Sequence, residues 1–237
     1  MLAGKDMAGV TSAYEGGTTI PKSYDIQKGD MTYRFWDTCG LNEGEEGNVP
    51  AKEAIESLVN HVKIITINLI IYCVRGRFTD IVGHNYDWFC REICQGKVPT
   101  VLVVTGLEQE DKDKWWTTNE VHLKRFKLAL EGHACVTTYK GRDNRYEKEY
   151  DESAAKVWKL VEANCNPTSW AMSPEWYNAI IERVKKFFRP FKRIRKHKYV
   201  SSFIGNSQIH FNLVNNILFG YVLHRCESEA LSNVLSN

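Results

Sequence analysis

Two long apolar runs constrain this chain more than any other feature. Residues 64–74 read IITINLIIYCV and residues 98–104 read VPTVLVV. Both are rich in Val and Ile, and neither alternates with polar residues, so a strand made from either must be covered on both faces. Strands of that kind belong to parallel sheets, and successive parallel strands need a crossover between them. Residues 81–94, lying between the runs, have helical spacing and supply one. The same alternation extends along the chain. A strand is expected at 31–36 (MTYRFW), then a helix at 51–62 with apolar residues at Ala51, Ala54, Ile55, Leu58, Val59 and Val62. A helix is expected at 115–130, a short strand at 134–138 and a helix at 147–163. The expected fold class is α/β: a doubly wound, mostly parallel sheet. Ligands of such sheets sit in the loops at the carboxyl ends of the strands.

The 237 residues include 43% hydrophobic and 25% charged residues, an ordinary globular composition with ample material for a core. Net charge is only +2, so the molecule as a whole is not a polybasic nucleic-acid binder. The charge is uneven, however. Nine Lys/Arg and no acid lie between Arg183 and Lys198, and subtracting those nine from +2 leaves −7 for the remainder. The seven cysteines show no CxxC pair and no His or Cys cluster to complete a zinc site, so reduced cysteines are expected. No secretory signal or membrane-spanning run is visible, and the expected location is the cytoplasm.

Three strand-end loops carry the chemistry. The first is Asp37-Thr38-Cys39-Gly40. An Asp there can reach a metal-bound water, and the Gly40 N–H can approach a terminal phosphate without obstruction. The second is Thr105-Gly106-Leu107-Glu108, where a carboxylate could accept two N–H bonds from one edge of a guanine. The third is Thr137-Thr138-Tyr139-Lys140-Gly141, whose backbone could pack against the same base. Upstream, Gly16-Gly17-Thr18-Thr19 offers a hydroxyl for Mg²⁺ and an N–H for a phosphate. Taken singly, each of these is an ordinary turn or loop pattern.

Order and spacing add to them. Asp37 follows Thr18 and Thr19 by 19 and 18 residues, Thr105 follows Asp37 by 68, and Thr137 follows Thr105 by 32. With the phrases AGKDMAGVTS, YRFWDTCGLNEG, VPTVLVVTGLEQEDKDKWW and HACVTTYKG, the sequence resembles the GTP-binding domain of P-loop GTPases. The closer likeness is to the septin-like and immunity-associated (IAN/GIMAP-type) group, as in fungal G-domain proteins, over roughly residues 1–165. The resemblance implies GTP/GDP and Mg²⁺ as ligands. Thr18 or Thr19 would be the switch threonine on Mg²⁺. Asp37 and Gly40 would contact the Mg²⁺ water and the γ-phosphate. Thr105 and Glu108 would stand at the base-reading box, with Glu110 as a second candidate, and Thr137 and Thr138 beside the base.

Three departures from the family pattern stand out. Gly106 replaces the Lys that normally covers one face of the base, and Leu41 stands where many GTPases carry a water-positioning Gln. No G-x-x-x-x-G-K-[ST] string occurs in the chain. The resemblance implies that the chain begins about twenty residues into the fold, past the first strand and phosphate loop. The strands MTYRFW and IITINLIIY would then face a gap, with two open ladders that invite a partner strand or a second copy. The intact parent would be a GTP-binding switch that hydrolyses GTP. The alternative is a non-catalytic pseudo-GTPase acting as an interaction or membrane-surface module.

A helical extension is expected at 166–200, with Ser173 as N-cap, Pro174 at the first position, and Pro190 kinking or stopping the helix. Its basic run, 183–198, interleaved with aromatics, fits an anionic membrane or an acidic protein surface; nucleic acid is the weakest fit. Residues 201–237 form an apolar, Asn-rich tail without assigned role. The histidines show no metal spacing, and Trp115-Trp116 is expected to pack a helix.

Overall fold

The two apolar runs form neighbouring parallel strands at the heart of a mixed α/β structure. A computed structural model describes residues 1–2, 21–38, 51–76, 78–194 and 219–227. In chain order the elements are β1 (Lys22–Lys28), β2 (Met31–Thr38), α1 (Ala51–Lys63), β3 (Thr66–Ile67), β4 (Leu69–Arg75) and α2 (Asp80–Tyr86). A π-helical segment, Asp87–Ile93, continues α2. Then come β5 (Thr100–Thr105), α3 (Lys112–Lys124), β6 (Gly132–Cys135), α4 (Glu147–Asn164), β7 (Trp170–Ala171), α5 (Pro174–Ile194) and β8 (Phe219–Glu227).

Six strands form one sheet in the order β1-β2-β8-β4-β5-β6, and β3 pairs with β7 in a separate ribbon. Strands β4, β5 and β6 are parallel, with Arg75 opposite Thr105 and Val104 opposite Cys135. The other half is antiparallel: β1 with β2, β2 with β8, and β8 with β4. Parallel pairing is thus confined to one half of a sheet expected to be mostly parallel. Strand β1 was absent from the sequence expectation. It forms a hairpin with β2 around Gly29-Asp30, and Gly29 takes φ 60°, which suits the tight turn.

The alternation of side chains explains the two-faced burial. Ile70, Tyr72 and Val74 of β4, with Leu102 and Val104 of β5, face a core shared with α1, α2 and α5. Leu69, Ile71 and Cys73, with Val101 and Val103, face a second core against Val157, Trp158 and Val161 of α4. The Trp158 ring meets Tyr33 and Phe35 of β2 edge-on, with centroids at 5.2 and 5.7 Å. The run 64–74 is not one strand. It breaks at buried Asn68, which donates from Nδ2 to the Asn166 carbonyl (2.7 Å) and accepts from the Asn166 N–H (3.1 Å). A buried amide must find partners, and satisfying them bends the chain out of the ladder.

Residues expected as an extension and a tail join this framework. Helix α5 buries Ile180 and Val184. Trp176 Nε1 donates to the Ile93 carbonyl (3.0 Å), Arg183 pairs with Glu92, and Tyr177 donates to Asn60 (2.8 Å). Ser173 caps the helix by accepting from the Trp176 N–H, as expected. The helix runs through Pro190 to Ile194 instead of stopping there. Strand β8, from the unassigned tail, occupies the place between β2 and β4 where the gap was expected. Its Leu223 stands opposite both Phe35 and Leu69.

Candidate functional site

Strand direction brings the predicted loops to one edge. Strand β2 is antiparallel to β8, and β8 to β4, so β2 runs the same way as β4, β5 and β6. Asp37, Arg75, the 105–108 loop and the 137–141 loop therefore all lie at the carboxyl edge of the sheet. Asp37 and Glu108 are three strand positions apart, roughly 14 Å at ~4.8 Å per strand. That span suits an extended ligand with two chemically different ends.

The 105–108 loop is built around one buried anchor. Leu107 is 2% exposed, and its carbonyl accepts from the Glu110 N–H (3.2 Å), closing a turn. Asp111 then caps α3 by accepting from the N–H groups of Asp113 and Lys114 (3.2 and 3.1 Å). With Leu107 pointing inward, Glu108 emerges half-buried at the edge. Its Oε1 accepts from the Thr138 N–H at 3.2 Å and from the Thr138 hydroxyl at 3.4 Å. The two loops following β5 and β6 are joined through these bonds. Thr105 closes β5 in register with Arg75.

The two threonines of the third loop behave differently. Thr138 is exposed beside Glu108. Thr137 is fully buried, its N–H donates to Ser153 Oγ (2.9 Å), and Ser153 in turn donates to the Glu149 carbonyl (2.6 Å). Thr137 thus ties the loop to α4, while Thr138 and the exposed Tyr139 form its outer rim. Lys140 is fixed by Glu147 (2.8 Å), and the Tyr146 N–H donates to the Lys140 carbonyl (2.7 Å). A Cβ on Gly141, at φ 79°, would meet the Tyr146 ring at 2.7 Å, so only glycine fits this close approach.

A cleft of about 780 Å³ opens beside Glu108, between α3 and α4. Six carboxylates line it (Glu108, Glu110, Asp111, Asp113, Glu149 and Glu152) against three cations, Lys112, Arg145 and Lys156. That imbalance repels a polyphosphate and favours groups that donate hydrogen bonds.

Asp37 is half-buried and close enough to Cys73 for its charge to act on that thiol. Burial first, and then Asp37, push the Cys73 thiol up to about 12. Burial likewise pushes Cys90 to about 12 and Cys135 to about 11. These thiols stay protonated and are no nucleophiles. Trp115 lies against Phe78 (5.5 Å), and Trp116 stacks on His133 (3.4 Å, 9° between planes). Both indoles are engaged with protein rings, as packing residues.

Of the predicted site residues, the structure brings Glu108 and Thr138 into contact, puts Thr105 on the same loop, and sets Asp37 on the same edge. Thr18, Thr19 and Gly40 lie outside the described residues. Arg75 was missed, although a cation at the end of a buried strand, followed by glycine, was a usable signal. Among the described residues no group of three or more His, Cys, Asp or Glu is placed to hold a metal ion. No helix among them is long and apolar enough to cross a membrane. Comparison with protein-family models and with curated proteins finds no match.

Proposed function

We propose that this chain is a guanine-nucleotide-binding domain of the P-loop GTPase type, of the septin-like and immunity-associated group. The observation that supports it most is the bond between Glu108 and Thr138. It holds a carboxylate in a fixed orientation at the carboxyl edge of parallel strands, where ligands of α/β sheets bind. Glu108 Oε2 takes no hydrogen bond among the described residues and can accept from a ligand N–H. Guanine presents N–H groups on one edge, whereas adenine presents an acceptor at the equivalent ring nitrogen. A fixed carboxylate therefore selects guanine, because an adenine ring nitrogen would face it lone pair to lone pair.

The charge pattern orients the ligand. The acidic cleft beside Glu108 disfavours phosphates, so the base occupies the Glu108 end and the phosphates extend towards Asp37. A carboxylate oxygen at that end suits Mg²⁺ held through water, since the ion prefers oxygen ligands and keeps several waters. Mg²⁺, when bound, would offset the charge of the phosphates; Asp37 would hold it through water, and Thr138 keeps Glu108 in place.

A fluorescent GDP or GTP analogue with Mg²⁺, competed by GTP and by ATP, tests this proposal. GTP is expected to displace the probe and ATP to fail at the same concentration. Glu108→Ala is expected to weaken GTP binding by about 10-fold or more, on the scale of charge-assisted hydrogen bonds at ~1.5–3 kcal/mol. Absence of nucleotide binding at high micromolar concentration defeats the proposal.

A second reading, the membrane-surface module, has one observation in its favour. Phe187 is 53% exposed on α5, next to Lys185 and Lys186. An exposed aromatic flanked by cations suits anionic lipid. Co-sedimentation with anionic vesicles, and its loss in Phe187→Ser, is the expected result; no sedimentation removes this reading.

A further inference from the structure

Arg75 has no role in the framework. It ends β4 at the carboxyl edge, its side chain is exposed, and among the described residues that side chain makes no hydrogen bond or ion pair. Yet its stem has a definite course across the neighbouring loop. A Cβ added to Gly106 would meet Arg75 Cγ at 2.8 Å, Nε at 3.2 Å and Cδ at 3.6 Å. Gly106 also takes φ 74°, a backbone conformation that side chains rarely adopt. The loop leaves position 106 bare, and the bare position is covered by an arginine from the adjacent strand. Parallel register, Arg75 opposite Thr105, makes the crossing possible.

This geometry puts the start of a planar cation over the backbone two residues before Glu108. A guanidinium has a flat face that stacks on aromatic rings, and it is weakly hydrated compared with an ammonium group. We propose that Arg75 is a positioning residue for the base: its guanidinium stacks on the face of a flat heterocycle whose N–H edge is held by Glu108. The inference rests on the guanine-binding reading above and adds the residue that covers the ring. Gly106 is its structural partner, because any side chain there would push Arg75 off the loop.

The test uses the full chain and competition against a fluorescent GDP analogue, with guanosine and GDP as competitors. Guanosine has a base and no phosphate, so it separates stacking from phosphate contact. Arg75→Ala is expected to weaken guanosine and GDP by the same factor, about five- to tenfold for a cation–π contact in a partly desolvated site. Arg75→Lys is expected to recover only part of that loss, since the charge remains but the plane is gone. Gly106→Ala, which displaces the stem, is expected to match Arg75→Ala. Arg75 is exposed, so an unchanged thermal midpoint checks that Arg75→Ala leaves the fold intact. A loss confined to GDP assigns Arg75 to phosphate and overturns the proposal, as does unchanged affinity for both competitors. If the unaltered chain binds neither guanosine nor GDP, the guanine reading falls and this inference with it.

Discussion

The two halves of the sheet are built on different principles. Strands β4, β5 and β6 pair with one another in parallel, they are joined by helices, and residues on both faces of β4 and β5 are buried in two cores. In β1, β2 and β8 every pairing is antiparallel, and β8, the strand that joins this half to β4, comes from far along the chain. Met31 pairs with Glu227 across nearly the whole sequence, whereas Ile70 pairs with Thr100 after one crossover. Local connection makes the first half self-contained. The second depends on a strand distant from its partners in sequence, at a larger entropic cost of closure. The ladder reflects this: β8 matches β2 along its length but meets β4 at only two positions, Leu69 with Leu223 and Ile70 with Val222.

The contrast breaks most directly if β8 is removed. Ending the chain at residue 218 leaves β2 and β4 with open ladders in mid-sheet. The largest expected effect follows: aggregation or self-association by size-exclusion chromatography, with loss of amide protection in β2 before β5. A monomer with unchanged protection of β2 would show that β8 does not carry that half.

Next in size is Leu102→Ala. Leu102 is fully buried in the parallel half, and its truncation is expected to cost about 2–5 kcal/mol by denaturant titration. The loss should appear in the global transition, because β5 lies between β4 and β6.

The smallest effect concerns pH. His61, on α1, packs its ring against Trp36 (4.5 Å), and its Nε2 has no hydrogen-bond partner among the described residues. Burial lowers its pKa below the ordinary 6.5, so the folded state keeps it neutral while the unfolded chain takes up a proton. Stability is therefore complete above about pH 6.5 and falls as pH drops towards the lowered value. His133 is lowered as well, by burial and then by Lys156. His61→Phe is expected to reduce the loss of stability between pH 7 and 5 without abolishing it. An unchanged pH profile would mean that His61 gains no proton on unfolding in that range.

The sequence was legible where burial is local. The runs 64–74 and 98–104 announced β4 and β5, and Ser173-Pro174 announced the start of α5. The break at Asn68 was not legible, because it depends on Asn166, distant in the chain. Strand β8 was equally hidden: it lies within a tail read as apolar and Asn-rich, and its partners are long-range. At the candidate site, Glu108 and Thr138 could be marked from strand ends alone, since parallel strands deliver their following loops to one edge. The Arg75-Gly76 pair closing a buried strand was a local mark, but the crossing of Arg75 over Gly106 depends on the parallel register of β4 and β5, which the local sequence does not contain.

The claim that matters most is that Glu108 and Thr138 form the base end of a guanine-nucleotide site. Amide chemical shifts of the full chain, followed during titration with Mg²⁺ and GDP, test it most directly. The account predicts saturable shifts centred on residues 105–108 and 138–141, with further shifts at Asp37 and Arg75 and none on α5. Shifts absent from the carboxyl edge, or confined to the opposite end of the sheet, would contradict it.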